Sequence, residues 1–228
     1  MSLDKAIIFD LDGCLVDSEP LCLAAIADEM KALGIADATT DEIGDRFLGV
    51  AMPKIAQYVS DRLGRPTPPG FQDHVEKRLF DSYPANLRPI AGAVEVLDAL
   101  QGLEFGLAIA TGGSLARMNL TLKVAGLTQW FTDAACSAEE VQHGKPEPDL
   151  FLLALERLER RPKDCLVVED SPHGIAGAGR AGIPAVGFVG GSHLNGKRRS
   201  HADLLRDAGA IEVFDQLDDI REFIAIHA

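Results

Sequence analysis

The sequence predicts an α/β protein whose core is a doubly wound parallel sheet and which carries a small inserted α-helical domain. Short apolar runs rich in Ile, Val and Phe recur between longer stretches of helical periodicity along most of the chain. Alternation of strands and helices is typical of a parallel sheet with helices on both faces. One region breaks the alternation, because from Glu19 to about Leu79 helical patterns follow one another without a convincing strand.

Short apolar runs predict the buried strands, and they lie at residues 6–9, 105–110, 165–168, 185–189 and 211–214. Helical periodicity between these runs predicts helices at residues 114–125, 148–158 and 217–226. A further helix begins near Ser171 and Pro172, because a hydroxyl residue followed by proline is a common helix start.

The region without strands predicts a separate helical domain at residues 19–87, inserted into a core made of residues 1–18 and 88–228. Its helical patterns lie at residues 21–33, 41–47, 53–63 and 71–80. Polar and proline residues at positions 17–20 and 83–89 predict hinges at the two ends of the insert. A chain of 228 residues suits one full domain that carries a smaller one.

The charge balance restricts the partners that we expect. The chain has 22 Lys plus Arg against 35 Asp plus Glu, a formal net charge of -13, so its surface repels phosphate backbones and anionic lipid heads. We therefore expect neither nucleic acid nor membrane as a partner. The four scattered cysteines form no CxxC pair, which argues against a zinc site and a disulfide framework. We expect a cytoplasmic protein that is a monomer or a weak homodimer.

Asp10 and Asp12 directly follow the first predicted strand. Ligands bind at the carboxyl ends of strands in open α/β sheets, and residues two apart in an extended segment point the same way. One carboxylate can attack phosphorus to form an aspartyl-phosphate, while the other protonates the leaving oxygen and later deprotonates water. The alternative is a solvated acidic turn after a strand.

Glu169 and Asp170 directly follow the strand predicted at 165–168, as Asp10 directly follows the first predicted strand. Two acidic pairs on one rim repel each other unless a cation neutralises them. Mg2+ prefers oxygen ligands and commonly combines carboxylates with substrate phosphate, so the sequence predicts a magnesium site here. The alternative is that Asp170 is the N-cap of the helix that follows.

Two further segments are suited to contact a phosphate group. Thr111 and Gly112 follow the strand predicted at 105–110 just before a helix, where a hydroxyl and backbone amides can hold phosphate oxygens. The alternative is that Thr111 or Ser114 is simply the N-cap of that helix. Lys145 lies in a loop stiffened by two prolines, where it can offset the carboxylates and bind phosphate as a point charge. The alternative is an ordinary solvated lysine.

These four segments, in this order, resemble the haloacid dehalogenase superfamily, specifically its members with a helical cap inserted soon after the first motif. The resemblance covers nearly the whole chain. It implies an HAD-like, Rossmannoid core, with Asp10 as the nucleophile and Asp12 as the general acid and base. It also implies that Thr111 is the phosphate-binding hydroxyl and Lys145 the stabilising lysine.

The resemblance further implies a Mg2+ site formed by Asp10, Asp170 and the backbone carbonyl of Asp12, with Glu169 assisting directly or through water. An aspartate at position 12 suits phosphatases and mutases and disfavours the dehalogenase branch. The implied activity is Mg2+-dependent hydrolysis of a small phosphorylated metabolite, preferably a sugar or sugar-acid phosphate. Closure of the cap would exclude bulk water during the first step.

The β-phosphoglucomutase-like group is the alternative within this family. Its pattern has a histidine where this chain has Cys22, and an arginine after a Gly-Val pair in the cap. Here Gly49 is followed by Val-Ala-Met, and Lys54 is the nearest base. Gly49 and Lys54 are the predicted substrate contacts of the cap, with an exposed surface lysine as the alternative for Lys54. A hypothesis from another class is a non-catalytic phosphate or metal sensor.

Overall fold

The computed structural model describes residues 5–47, 50, 52–131 and 133–227. Its strands are β1 (Ala6–Phe9), β2 (Gly106–Thr111), β3 (Ala135–Ser137), β4 (Cys165–Glu169), β5 (Ala185–Phe188) and β6 (Val213–Phe214). Its α-helices are α1 (Glu19–Ala32), α2 (Thr40–Phe47), α3 (Met52–Leu63), α4 (Phe71–Asn86), α5 (Ala93–Gly102), α6 (Leu115–Ala125), α7 (Asp149–Leu158), α8 (Pro172–Arg180), α9 (Arg198–Asp207) and α10 (Leu217–His227). Within these described ranges, none of the helices combines the length and apolar composition needed to cross a bilayer.

The strands form one parallel six-stranded sheet in the order β3-β2-β1-β4-β5-β6. Ile8 of β1 pairs with Ala108 of β2 on one side and with Val167 of β4 on the other. The chain builds one half of the sheet with β2 and β3, and then crosses β1 to build the other half. This is the doubly wound arrangement that strand-helix alternation predicts, and the α/β fold class is confirmed.

The centre of the core is β1, whose residues are at most 2% exposed. A strand in a doubly wound sheet is covered by helices on both faces, which requires apolar side chains at every position. The four residues of β1, Ala-Ile-Ile-Phe, meet this requirement. On the neighbouring strands, α7 packs against β2 and β3, and α8 packs against β4 and β5.

The helices α1 to α4 form a compact unit of residues 18–87, and the segment up to Asp17 together with the segment from Arg88 forms the other unit. Within the helical unit α1 packs against α4. Met30 of α1 and Leu79 and Tyr83 of α4 are among its fully buried side chains. The fold class with an inserted helical cap is confirmed.

The hinge predicted at residues 83–89 is wrong at its start, because α4 continues through Pro84 to Asn86. Tyr83 is fully buried, and its carbonyl oxygen accepts from the amide of Leu87 (3.0 Å). A proline so near a helix end removes only one backbone donor. Burial of Tyr83 outweighs this cost and keeps the last turn of the helix intact.

Three elements of the core are absent from the sequence prediction. β3 consists of Ala-Cys-Ser and lacks the β-branched residues that indicate a strand. α9 is mostly polar and buries only Ala202 and Leu205, so its apolar periodicity is weak. α5 carries buried apolar residues at positions 93, 96, 97 and 100, a helical spacing that is visible in the sequence. β6 covers only part of the strand predicted at 211–214.

Candidate active site

The carboxyl ends of β1, β2 and β4 meet at one edge of the sheet. Asp10 follows β1, Thr111 ends β2 and Glu169 ends β4. Since β2 and β4 flank β1 on opposite sides, the connections diverge here, which is the usual place for ligands in open α/β sheets. The amide of Asp10 donates to the carbonyl oxygen of Val168 (2.9 Å), so the strand ladder extends to the first residue of the site.

Lys145 links two of the acidic residues. Its Nζ donates to Oδ1 of Asp10 and to Oε2 of Glu169, both at 2.6 Å, and its side chain is 9% exposed. The ammonium also lies 5.5 Å from the centre of the Phe151 ring. Burial lowers the pKa of Lys145, but the charges of Asp10 and Glu169 outweigh burial and raise it above its ordinary value. Lys145 is therefore a buried cation, and the alternative of a solvated lysine is wrong.

The carboxylates of the site are buried together: Asp10 is 6% exposed, Glu169 1% and Asp170 8%. Burial raises the pKa of Asp10 well above its usual range, the charge of Glu169 raises it further, and Lys145 opposes the shift. Burial also raises the pKa of Glu169, again opposed by Lys145. One lysine does not neutralise these groups, and a bound cation would favour their ionised forms.

Asp12 is held by two donors from other elements. Oγ1 of Thr111 donates to its Oδ2 (3.2 Å), and Nη2 of Arg117 donates to its Oδ1 (2.8 Å). This ion pair is largely shielded from water, since 14% of the Arg117 side chain and 11% of the Asp12 side chain are exposed. Asp12 is therefore an oriented carboxylate, and the alternative of a solvated acidic turn is wrong.

Arg117 is not among the residues predicted from the sequence. It lies in the first turn of α6, where its amide donates to Oγ of the N-cap Ser114 (3.1 Å). A cation is unfavourable near the positive end of the helix dipole, and no acidic residue in this first turn compensates for it. A positive charge at this position of a helix is therefore a signal in the sequence that Arg117 pairs with an anionic group elsewhere in the protein.

The turn after β2 is fixed by hydroxyl groups. The amide of Gly113 donates to Oγ1 of Thr111 (3.1 Å), and Oγ of Ser137 donates to the carbonyl oxygen of Gly113 (2.6 Å). Ser137 ends β3 and was not predicted as a site residue. Gly112 is exposed, and a β-carbon built on it would have nothing within 4 Å. Space for a ligand therefore exists at Gly112. Thr111 contacts Asp12 and is not the helix N-cap, whereas Ser114 is that N-cap, as the alternative predicts.

A group of three carboxylates is able to hold a metal ion. Asp10, Glu169 and Asp170 each place one oxygen within 4.8 Å of the other two. All are oxygen donors, the ligand type that Mg2+ prefers. Together with Asp12, they set four carboxyl groups against one lysine and one arginine. The predicted contribution of the Asp12 backbone carbonyl stays a prediction.

Asp170 is contacted by two histidines that were not predicted from the sequence. Nε2 of His193 lies 3.2 Å from Oδ2 of Asp170, and Nε2 of His201 donates to its backbone carbonyl oxygen (2.6 Å). The N-cap of α8 is Ser171, whose Oγ accepts from the amide of Gly174 (3.0 Å). The alternative interpretation of Asp170 as the N-cap is therefore wrong.

Of the two predicted substrate residues in the helical unit, Gly49 lies outside the described residues. Lys54 is exposed in the first turn of α3, as the alternative of a surface lysine predicts. Its contact with substrate stays a prediction. Cys22, which the resemblance aligns with a histidine of the mutases, is buried in α1.

Two relatives and one solved structure are similar to this chain over most of its length. A phosphorylated carbohydrates phosphatase from Thermotoga maritima is 30% identical over 211 residues, which is 91% of this chain and 92% of that protein. A 6-phosphogluconate phosphatase from Escherichia coli is 29% identical over 197 residues, which is 85% of this chain and 86% of that protein. The solved structure of a HAD family hydrolase from Deinococcus radiodurans, with bound phosphate and sodium, is 30% identical with a TM-score of 0.78, covering 99% of this chain and 96% of that one.

A family model described as haloacid dehalogenase-like hydrolase matches residues 5–182. That span contains the whole acidic cluster and Lys145, together with the partners of Asp12 on β2 and α6. On this match over most of its length, the chain belongs to the haloacid dehalogenase-like hydrolases.

Proposed function

We propose that the chain is a Mg2+-dependent phosphatase that hydrolyses a phosphorylated sugar or sugar acid through an aspartyl-phosphate on Asp10. The observation that supports this most directly is the separate anchoring of two carboxylates. Asp10 is buried and bound by Lys145, while Asp12 is oriented by Thr111 and Arg117. Hydrolysis in two steps needs a nucleophile and a proton-transfer group as different side chains.

The Mg2+ ion would be held by Asp10, Glu169 and Asp170, with the backbone carbonyl of Asp12 as a further predicted ligand. Bound there, the ion supplies positive charge that polarises the phosphoryl oxygens. The donor set supports this fit, because the three carboxylates are buried with oxygens within 4.8 Å of one another. Burial also raises the pKa of Asp10 and of Glu169, which a cation would counteract.

In the first step an oxygen of Asp10 attacks phosphorus, and the bond between phosphorus and the ester oxygen breaks. The leaving oxygen takes the proton of Asp12, and the free sugar departs. Lys145 stays protonated beside Asp10 and stabilises the negative charge of the transferred group. The hydroxyl of Thr111 and the open backbone at Gly112 are the proposed contacts of the phosphoryl oxygens.

In the second step Asp12 takes a proton from water, and the water oxygen attacks phosphorus. The bond between phosphorus and Asp10 breaks, which releases inorganic phosphate and restores the Asp10 carboxylate. Because Asp12 must first deliver and then remove a proton, its carboxylate has to keep one orientation through both steps. Thr111 and Arg117 provide that orientation.

The substrate class is supported by the relatives, which are named for phosphorylated carbohydrates and for 6-phosphogluconate. A net charge of -13 does not attract anions from a distance, so recognition has to be local. The substrate contacts of Gly49 and Lys54 stay predictions, as does the helical domain boundary at residues 19–87. A reducing compartment, the cytoplasm, is proposed because the four cysteines are free and buried.

The test is phosphate release from a panel of sugar phosphates, sugar-acid phosphates and nucleotides, with Mg2+ and with excess chelator. We expect Mg2+-dependent release that is concentrated on a few sugar or sugar-acid phosphates. Acid-quenched protein should carry one phosphoryl group on the peptide that contains Asp10, detected by mass spectrometry. Asp10→Asn should lose both turnover and the adduct, while Asp73→Asn, an exposed aspartate of α4, should keep both.

Two other outcomes would each contradict the phosphatase. Conversion of β-glucose 1-phosphate to glucose 6-phosphate without phosphate release would identify a mutase. The sequence argues against this, because Cys22 stands where the mutase pattern has a histidine, and Ala-Met follows the Gly-Val pair where that pattern has an arginine. Phosphate binding that survives in Asp10→Asn, with no turnover of any compound by the wild type, would identify a sensor.

A further inference from the structure

The segment after β5 places a histidine against Asp170. Its 3-10 turn, Ser192–Leu194, is anchored on both sides of the histidine. The amide of Ser192 donates to Oδ1 of Asp17 (3.1 Å), and Leu194 is fully buried. His193 lies between these anchors with a side chain that is only 1% exposed, so the backbone leaves its imidazole little freedom to move.

Two glycines provide the space that the imidazole occupies. A β-carbon on Gly13 would lie 2.8 Å from Cε1 of His193 and 2.3 Å from Oδ2 of Asp170. A β-carbon on Gly191 would lie 2.6 Å from the same Cε1. The loops after β1 and after β5 therefore approach the pair of His193 and Asp170 this closely only because both lack a side chain at these positions.

The imidazole is paired to the carboxylate, since Nε2 of His193 lies 3.2 Å from Oδ2 of Asp170. Burying a polar ring without a hydrogen-bond partner costs free energy, and burying a carboxylate without a partner costs more. An apolar side chain of similar size would fill the same space. It would leave Oδ2 of Asp170 without this donor, so packing alone does not account for a histidine here.

His201 holds the same aspartate at its backbone. It lies in the first turn of α9, and its Nε2 is 2.6 Å from the carbonyl oxygen of Asp170. Because a carbonyl only accepts hydrogen bonds, Nε2 of His201 carries the hydrogen. Asp170 is thus fixed at its carboxylate by one histidine and at its backbone by another, both supplied by residues 193–201.

We propose that His193 and His201 are positioning residues for the divalent cation. They hold Asp170 in the orientation in which it binds the ion, and they thereby set the metal affinity of the site. Partners that orient a metal ligand typically change metal affinity by about 10- to 100-fold. The inference rests on the proposed function only in assigning Asp170 to the metal, and it involves no substrate.

The test measures Mg2+ binding to the full-length, substrate-free protein by isothermal titration calorimetry, and thermal unfolding in excess chelator reports folding separately. His193→Leu should weaken Mg2+ binding by about 10- to 100-fold, and His201→Leu by about tenfold. His193→Gln, which keeps an N–H donor, should recover part of the affinity. His173→Leu, which changes an exposed histidine of α8, is the matched control and should bind Mg2+ like the wild type.

A lower unfolding temperature in chelator with unchanged Mg2+ affinity would show a purely structural role and overturn the proposal. Should His193→Leu fail to fold, His201→Leu, at a more exposed position, decides by the same criterion. A wild type that binds Mg2+ without releasing phosphate from any compound would contradict the phosphatase alone. Normal phosphate release together with unchanged Mg2+ affinity in the histidine variants would contradict this inference alone.

Discussion

A β-carbon on Gly174 would lie 2.0 Å from Cδ of Glu169. Glu169 occupies the space that a side chain at position 174 would fill, and there its Oε1 accepts from the amide of Ser171 (3.1 Å). Its Oε2 accepts from Lys145 (2.6 Å). The absence of a side chain at Gly174, in the first turn of α8, therefore determines where the Glu169 carboxylate lies in the site.

Gly174→Ala should disturb the site through Glu169, because the added methyl group displaces that side chain. We expect a loss of about 1–3 kcal/mol in stability, as for other overpacked cores, and weaker Mg2+ binding. Thermal unfolding with and without Mg2+ measures both effects. The matched control is Gly179→Ala in the same helix, where the new methyl group meets nothing within 4 Å. Alanine favours the helix there by up to about 1 kcal/mol, so equal destabilisation by the two variants would contradict the steric explanation.

Lys145→Met should lower phosphate release by about 10²- to 10³-fold, the usual loss when one donor to a developing negative charge is removed. The substitution keeps an apolar stem of similar length but leaves Asp10 and Glu169 without their shared cation. Initial rates on the best substrate at saturating Mg2+ check this expectation. Lys123→Met, an exposed lysine of α6, should retain the wild-type rate. Equal rates of phosphate release for the two variants would show that Lys145 does not contribute to the reaction.

Arg117→Met should reduce kcat, because Asp12 loses the partner that lies 2.8 Å from its Oδ1. A hydrogen bond to a charged group contributes about 1.5–3 kcal/mol, which corresponds to a fall of roughly 10- to 150-fold. Steady-state kinetics separate this effect from a change in KM. Arg206→Met on the exposed face of α9 is the control variant. A change confined to KM would show that Arg117 binds substrate and does not orient Asp12.

The cysteines should react slowly in the native protein. All four are free and buried, and burial raises the pKa of Cys136 to about 11 and that of Cys165 to about 11. Since the thiolate is the reactive form, a raised pKa keeps these groups protonated at neutral pH, and reactivity should rise only as the pH approaches the shifted value. Ellman's reagent should detect all four thiols in denaturant and almost none at about pH 8 in the native state. Rapid native labelling would contradict their burial.

Most of the core fold could be predicted because its signals are local. The apolar residues of β1 are consecutive in the sequence and end at Asp10, so the strand and the position of its carboxyl end follow together. β3 carries no such signal, because three small residues gain their strand conformation by pairing with β2. Pro84 carries a misleading signal, because proline usually indicates a helix end. Here burial of Tyr83 in the helical unit outweighs the cost of the proline, and the helix continues.

The sequence by itself determined that Asp10, Glu169 and Asp170 would lie at one edge of the sheet, since the carboxyl ends of parallel strands share that edge. The structure brings their oxygens within 4.8 Å. Only the tertiary structure decided which groups hold the carboxylates in place. Arg117 is 105 residues from Asp12, and His201 is 31 residues from Asp170. Such contacts depend on strand order, register and the path of the connecting helices, and local periodicity encodes none of these.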